Sequence, residues 1–552
     1  MATAEGVEVF EDTIDQVSSD LHGRILLKRE QKKALIDLLL KKDVLAVLPT
    51  GFGKSLIYQY FVLSKAKQRE AKDLGITACR LKDFLDEETS TLRPKQLMFA
   101  SAEDVLSPTF RNLLKNNSIL NESIELLVID ESHTVETWTS MSNHLFIETN
   151  REEGTPVLAL TGTADKATMQ AIVSSLSLKE QTDIHVSPNR QNIRMSVFKC
   201  SKISMLSHLN WLIELVRNNG LDTPKTLFFC NTMNDIATIS NYILLNLADN
   251  AFHPTNVQTA DNCLIGIYHS TTWDSQKDRI VKAMKGTEHL STRIIVIATT
   301  ALSMGVNFPD IRYVINWGSP RSLLDYHQEI GRAGRDGKQS YAITYFFGQQ
   351  LSHCEDDVKD FVKSTACYRV ASLLPFDKQV ESLTPQHNCC SNCMNLCSCD
   401  MCQHSSTTDL PFESTADGKN SDHPHVVRSV SLEDRRDVRD SLMELFWTIV
   451  NTSDELEVKF YTQVVDEIVE SCHTIFTVKD IITNYPIFTM RRALKILEIF
   501  DELFGDISLL PSFEELEIID ELLDLTPFSA VGLDSSINSS SSDSEVSDSD
   551  NS

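Results

Sequence analysis

No run of about 18 apolar residues occurs in this 552-residue chain, which argues against a membrane-spanning helix. The N-terminus, MATAEGVEVFEDTID, lacks the basic start and apolar core of a secretory signal, so the chain is expected to stay in a reducing compartment. Its thirteen cysteines then read as thiols or metal ligands, with disulfides disfavoured. Basic residues are scarce too: 51 Lys and Arg stand against 78 Asp and Glu, for a net charge of −27. That balance disfavours a general nucleic-acid binder, but the charge is unevenly placed. From Asp501 to Ser552 there are fourteen carboxylates and no Lys or Arg, about half of the imbalance. A local basic channel in the rest of the chain stays compatible with this, because a phosphate backbone responds to the charge lining its site.

At this length one core does not suffice, and three or four domains are expected. Apolar runs at 44–48, 126–129, 157–160, 226–229, 294–297, 313–315 and 341–346 alternate with helical patterns. That alternation predicts α/β architecture, two doubly wound parallel-sheet domains in series with a break near Pro188. A cysteine-dense segment and a polar linker, HSSTTDLPFESTADGKNSD, follow. From Ser431 the pattern turns helical, and two amphipathic stretches flank Tyr485-Pro486 in the outline of a helix-turn-helix or a small helical bundle. The final SSINSSSSDSEVSDSDNS is acidic and of low complexity, which predicts a disordered tail with a solubilising or regulatory role.

In LPTGFGKS (48–55), Gly51 and Gly53 let backbone N–H groups turn toward an anion held over a helix start. Thr50, Phe52 and both glycines form the loop; Lys54 is expected on the outer phosphates of ATP and Ser55 on Mg2+. The strict GxxxxGK[ST] pattern wants glycine where Leu48 stands, whereas PTGxGKS is a form that helicases use. LLVIDESH (126–133) places acidic residues at the mouth of a buried strand. Asp130 is expected to reach the magnesium through water, Glu131 to polarise the attacking water, and His133 to face the second domain. Gln31 stands at the spacing of an adenine-reading glutamine. In YHQEIGRAGRDG (326–337), Arg335 is the expected arginine finger, Arg332 its support and Gln328 part of the water or phosphate network.

Taken in order, Gln31, PTGFGKS, DESH, TGTA at 161–164, FFCN at 228–231, YHS at 268–270, ATTALSMGVNFPDIRYVINWGSP from Ala298 and QEIGRAGRDG resemble the superfamily 2 helicases, and within them the RecQ family of DNA helicases. The resemblance covers roughly residues 20 to 402. It implies two tandem RecA-like domains that close on ATP and open on release, moving 3′ to 5′ on single-stranded DNA and separating duplex DNA. It makes Thr161 and Thr163 couplers between ATP state and DNA grip, puts Thr299, Gly305 and Asn307 where the second domain meets nucleotide and strand, and casts Trp138 as an aromatic DNA sensor. The thiols of Cys367 and of CCSNCMNLCSCDMC have spacings that can close a tetrahedral Zn2+ site. On the family's four-cysteine pattern, Cys367, Cys390, Cys393 and Cys397 fit best, with Cys399 or Cys402 as substitutes in the last place.

The domains then run as an extension at 1–19, RecA-like domains at 20–190 and 191–350, a zinc-binding module at 351–405, a linker at 406–430, a helical region at 431–510 and the acidic tail at 511–552. Two family elements are missing from the text. After the P-loop helix, FVLSKAKQREAKDLGITA (61–78) holds no apolar strand ending in Ser-Pro or Thr-Pro, and after Trp138 there is no Phe-Arg-Pro run. The leading expectation is an ATP-dependent DNA helicase of repair or recombination, acting in the nucleus. An RNA-dependent ATPase, or a weakened scaffold acting through its C-terminal region and a protein partner of the tail, stand as alternatives.

Overall fold

The computed structural model describes residues 4–20, 26–68, 76–86, 95–137, 154–400 apart from 203, 256–258, 260–261, 271, 287–292 and 303–307, then 402, 410–413, 427–449 and 455–507 apart from 486, 488 and 489. The chain divides into two compact units. The first comprises Met1–Gln191, Tyr326–Gly331 and Arg369–Ser382; the second comprises Asn192–Asp325, Arg332–Tyr368 and Leu383–Ser552.

The strands of the first unit are Val44–Val47 (β1), Ala78–Arg80 (β2), Leu97–Phe99 (β3), Leu127–Ile129 (β4), Val157–Thr161 (β5) and Thr182–His185 (β6). β1 is four apolar residues with no accessible surface, as a parallel strand covered on both faces requires. It pairs in parallel with β5 and β6, and β4 completes the order β4-β5-β1-β6. The buried Asp43 fixes this register. Its carboxylate accepts the N–H groups of Val157 at 2.9 Å and Lys179 at 2.7 Å, while its carbonyl takes the N–H of Thr182.

The segment expected as an N-terminal extension is helical over Ala4–Asp20, and its Ile14 and Val17 join the core formed by Leu35, Leu38, Leu63 and Leu158. The expected absence of an apolar strand after the P-loop helix has a structural counterpart. β2 does begin at Ala78, but it is Ala-Cys-Arg, and it pairs with β3 in a separate two-stranded sheet over a small core of Leu81, Phe84, Phe110, Leu114 and Leu120. Among the described residues β4 is therefore an edge strand of three half-buried residues.

The second unit holds Ile193–Lys199 (β7), Thr226–Cys230 (β8), Ile265–Tyr268 (β9), Ile295–Ala298 (β10), Tyr313–Trp317 (β11) and Ser340–Phe346 (β12). All pair in parallel in the order β7-β12-β11-β8-β10-β9. β8, β10 and β11 are buried along their whole length. In the same unit, the helices Leu432–Ile449, Glu455–Glu470, Val478–Asn484 and Met490–Phe504 share one core, including Leu442, Val465, Ile481, Leu497 and Phe500. That is a helical bundle. It meets the helix Met233–Leu247 through Leu244 and Leu245, and Asn241 Nδ2 donates to the carbonyl of Ile487 at 3.0 Å. Arg428 closes the bundle with a two-pronged pair to Asp506, 2.9 and 2.7 Å, and stacks over Phe476 and Phe504. The acidic tail expected at 511–552 lies outside the described residues.

Candidate nucleotide site and cysteine centres

β1 runs straight into the loop Leu48–Ser55, and the helix Ser55–Gln68 starts where the loop ends. Gly51 at φ +82° and Gly53 at φ +88° occupy the left-handed region, where a side chain would be strained. These two residues let the chain double back and present its amides, as the sequence pattern requires. The Gln31 side chain packs beneath the turn. Its Nε2 donates to the carbonyls of Phe52 and Gly53, both at 2.9 Å, and its Oε1 accepts the N–H of Lys28 at 2.8 Å. Here Gln31 braces the loop with every amide hydrogen engaged, and the adenine-reading role rests on the resemblance alone. The Lys28 ammonium sits 3.9 Å from the centre of the Phe52 ring, a second brace.

Near the end of the loop, Lys54 Nζ lies 3.8 Å from Glu131 Oε1. Glu131 holds φ +50°, costly for a non-glycine residue, and this backbone turn brings its other carboxylate oxygen within 3.6 Å of His133 Nδ1. His133 is buried. Its Nδ1 is 3.0 Å from Thr161 Oγ1, whose own proton goes to the carbonyl of Thr163 at 2.9 Å. Thr161 is thus the acceptor, the imidazole carries its proton on Nδ1, and Nε2 accepts from Gln328 Nε2 at 2.9 Å. The chain Thr163–Thr161–His133–Gln328 is continuous and lies within the first unit, which takes in Tyr326–Gly331. Asp130 is exposed and accepts the N–H of Glu131 at 3.0 Å. Burial and then the nearby charge of Asp130 raise the pKa of Tyr58, which stands one turn into the helix that Ser55 opens. The hydroxyl of Ser55 and the carboxylate of Asp130 are hard oxygen donors of the kind Mg2+ takes.

Arg332 and Arg335 lie in the second unit on the turn after the helix Leu323–Ile330, Arg332 buried and Arg335 half-buried. Gly334, between them, has φ +54°, and a Cβ there would stand 2.5 Å from Asn192 Nδ2. Only glycine fits that position. Thr299 lies at the end of β10 with its N–H on the carbonyl of Tyr268 at 3.2 Å. Trp138, Gly305 and Asn307 fall outside the described residues.

The cysteines form two groups. Cys367, Cys389, Cys390 and Cys393 bring their Sγ atoms within 4.8 Å of one another, and a second group joins His387 to Cys397, Cys399 and Cys402. This corrects the expected ligand set: Cys389 stands where Cys397 was placed. The reason is local. Cys390 caps the short helix Ser391–Met394, its Sγ accepting the N–H of Cys393, so both thiols return to Cys367. Past Met394 the chain turns, and Cys397 faces His387. In the first group Cys367 Sγ is 3.5 Å from Cys389 Sγ and 4.0 Å from Cys390 Sγ, close to the edge of about 3.8 Å of a tetrahedron with Zn–S bonds of about 2.3 Å. Thiols this near cannot ionise independently. Hydrogen bonds from Cys367 and Cys389 hold Cys390 far below the ordinary thiol range, while burial pushes Cys393 up to about 12. Sequence reasoning missed Cys389 and His387, although the Cys389-Cys390 doublet offered two candidates for one place.

Residues 207–337 match the helicase conserved C-terminal domain. Among curated proteins the chain is 29% identical over 360 residues to a probable ATP-dependent DNA helicase RecS of Bacillus subtilis, covering 60% of this chain and 66% of that protein. It is 24% identical over 426 residues to the ATP-dependent DNA helicase RecQ of Haemophilus influenzae, covering 68% and 62%. A putative ATP-dependent RNA helicase of Acanthamoeba polyphaga mimivirus is 26% identical over 396 residues, covering 64% and 66%. The chain thus spans just under two thirds of the length of each of these relatives.

Proposed function

We propose, for a chain that is a RecQ-like helicase of superfamily 2, an ATP-dependent DNA helicase that hydrolyses ATP at Lys54 and Glu131 and moves 3′ to 5′ on single-stranded DNA. The observation that carries this reading is the geometry of the first unit: a loop with two left-handed glycines, a lysine 3.8 Å from a strained glutamate, and a histidine that joins Thr161 to Gln328. Lys54 would hold the outer phosphates, Ser55 would hold Mg2+ with Asp130 reaching it through water, and Glu131 would polarise the attacking water as base. His133 carries the state of that site to Thr161 and Thr163. Arg335 is assigned as the arginine finger and Arg332 as its support, on their motif. A zinc ion held by Cys367, Cys389, Cys390 and Cys393 would act structurally, since four thiolates leave no open coordination position. Action in the nucleus, in DNA repair or recombination, follows from the substrate class.

The test is ATP hydrolysis by the purified chain with and without single-stranded DNA, beside Lys54→Ala. Stimulation by DNA and loss in the variant are expected. A second reading, an RNA-dependent ATPase, draws on the mimivirus relative, and greater stimulation by RNA than by DNA would favour it. Hydrolysis that neither nucleic acid stimulates would fit the edge position of β4 and point to an uncoupled motor or scaffold.

A further inference from the structure

We infer that His387, Cys397, Cys399 and Cys402 form a second zinc site, so that the cysteine-rich module holds two metal ions. His387 Nδ1 lies 3.5 Å from Cys397 Sγ, 3.3 Å from Cys399 Sγ and 3.4 Å from Cys402 Sγ. Hydrogen bonding does not account for this convergence, because a ring nitrogen offers either one lone pair or one proton and cannot serve three thiols. A cation at the centre does. With Zn–N of about 2.0–2.1 Å and Zn–S of about 2.3 Å, a tetrahedron has N···S edges of about 3.5–3.6 Å, and the 3.3–3.5 Å found here lies within a few tenths of an ångström of that. Three thiolates and an imidazole are also a donor set that favours zinc over harder ions.

The residues around the cluster hold it as a built site. Arg194 on β7 is almost fully buried and donates from Nε to the carbonyl of His387 at 2.7 Å, while its guanidinium pairs with Glu413 at 2.7 Å and reaches Ser196 at 2.9 Å. The next residue, Met195, donates its N–H to the carbonyl of Cys389 at 3.3 Å. Adjacent residues of one edge strand therefore grip a ligand of each cluster. The backbone from His387 to Cys390 supplies ligands to both sets, and a second ion would tie Cys397, Cys399 and Cys402 to His387.

This inference goes beyond the helicase reading and does not depend on it. Zinc content of the full chain, purified without added metal and measured by mass spectrometry, is expected at two ions per chain. Cys399→Ser with Cys402→Ser should leave one, and Cys367→Ser with Cys393→Ser should also leave one. One zinc ion in the unmodified chain, undiminished by the Cys399/Cys402 substitutions, or none in the unmodified chain, overturns the proposal. Because a zinc-stripped variant can fail to fold, Co2+ added to the Cys367/Cys393 variant gives an independent reading. Intense tetrahedral d–d bands with thiolate charge transfer are expected from the remaining set, and a weak octahedral spectrum counts against it.

Discussion

β4 and β11 are both parallel strands that carry or flank motif residues, yet they are held differently. β11 lies between β8 and β12 with all five residues buried, whereas β4 has three half-buried residues and β5 as its neighbour. The acidic motif Asp130–His133 hangs from β4, while the phosphate loop hangs from the fully buried β1. The two halves of the proposed nucleotide site are thus anchored unequally. Burial fixes the strand that carries the loop, with Gln31 bracing the loop itself, and the motif after β4 depends on specific contacts, Lys54 to Glu131 and Thr161 to His133, for its position.

The largest expected effect tests whether those contacts serve chemistry. Glu131→Gln keeps the shape and removes the base, so hydrolysis should fall by roughly 10²–10⁴-fold with nucleotide binding retained. Turnover in single-cycle assays and binding of a fluorescent ATP analogue separate the two quantities. Near-normal turnover would remove Glu131 from the mechanism and leave the left-handed backbone at that residue without its explanation.

The next effect sharpens the contrast between the sheets. Ile315→Ala opens a cavity in β11 and should cost about 2–5 kcal/mol, while Val128→Ala in β4, starting half-buried, should cost roughly 1 kcal/mol or less. Native-state hydrogen exchange reads each strand separately, and the amides of β4 should exchange faster than those of β8 and β11 in the unaltered chain. Equal costs and equal protection would show that β4 is held as firmly as the buried strands.

Much of this was legible in the residues. All seven apolar runs became strands; β1, β5, β8, β10 and β11 are buried on both faces and so are predominantly apolar, and the two glycines of the phosphate loop, expected to turn the backbone toward an anion, take left-handed φ. The short strands were not legible. β2, β6 and β9 contain Arg80, Asp183 or Gly266 and owe their place to neighbours in the sheet, which pattern alone does not reveal. Nor was the carboxylate of Asp43, whose two N–H partners come from residues 157 and 179. The metal ligands mark the same boundary. Spacing identified cysteines that can meet, but the partition into two groups depends on the turn after Met394 and on Arg194 gripping His387.

The smallest effect compares the units through pH. His327 belongs to the first unit, fully enclosed with Nε2 2.9 Å from the carbonyl of Ser372, and burial, followed by the charge of Arg369, outweighs that bond and lowers its pKa to about 4. His269 belongs to the second unit, where burial and then the charge of Lys277 lower it to about 4 as well. Both are neutral when folded and bind a proton more readily when unfolded, near pH 6.5. Their contribution is therefore complete above about pH 6.5, falls as the pH drops toward 4, and is level below that, with each histidine worth at most roughly 3 kcal/mol over the window. Urea midpoints should drop between pH 7.5 and 5.0, and His327→Gln and His269→Gln should each reduce the drop in its own unit. A pH dependence left unchanged by both substitutions would mean that these histidines do not carry it, and the charge of the remaining groups would then set the midpoint.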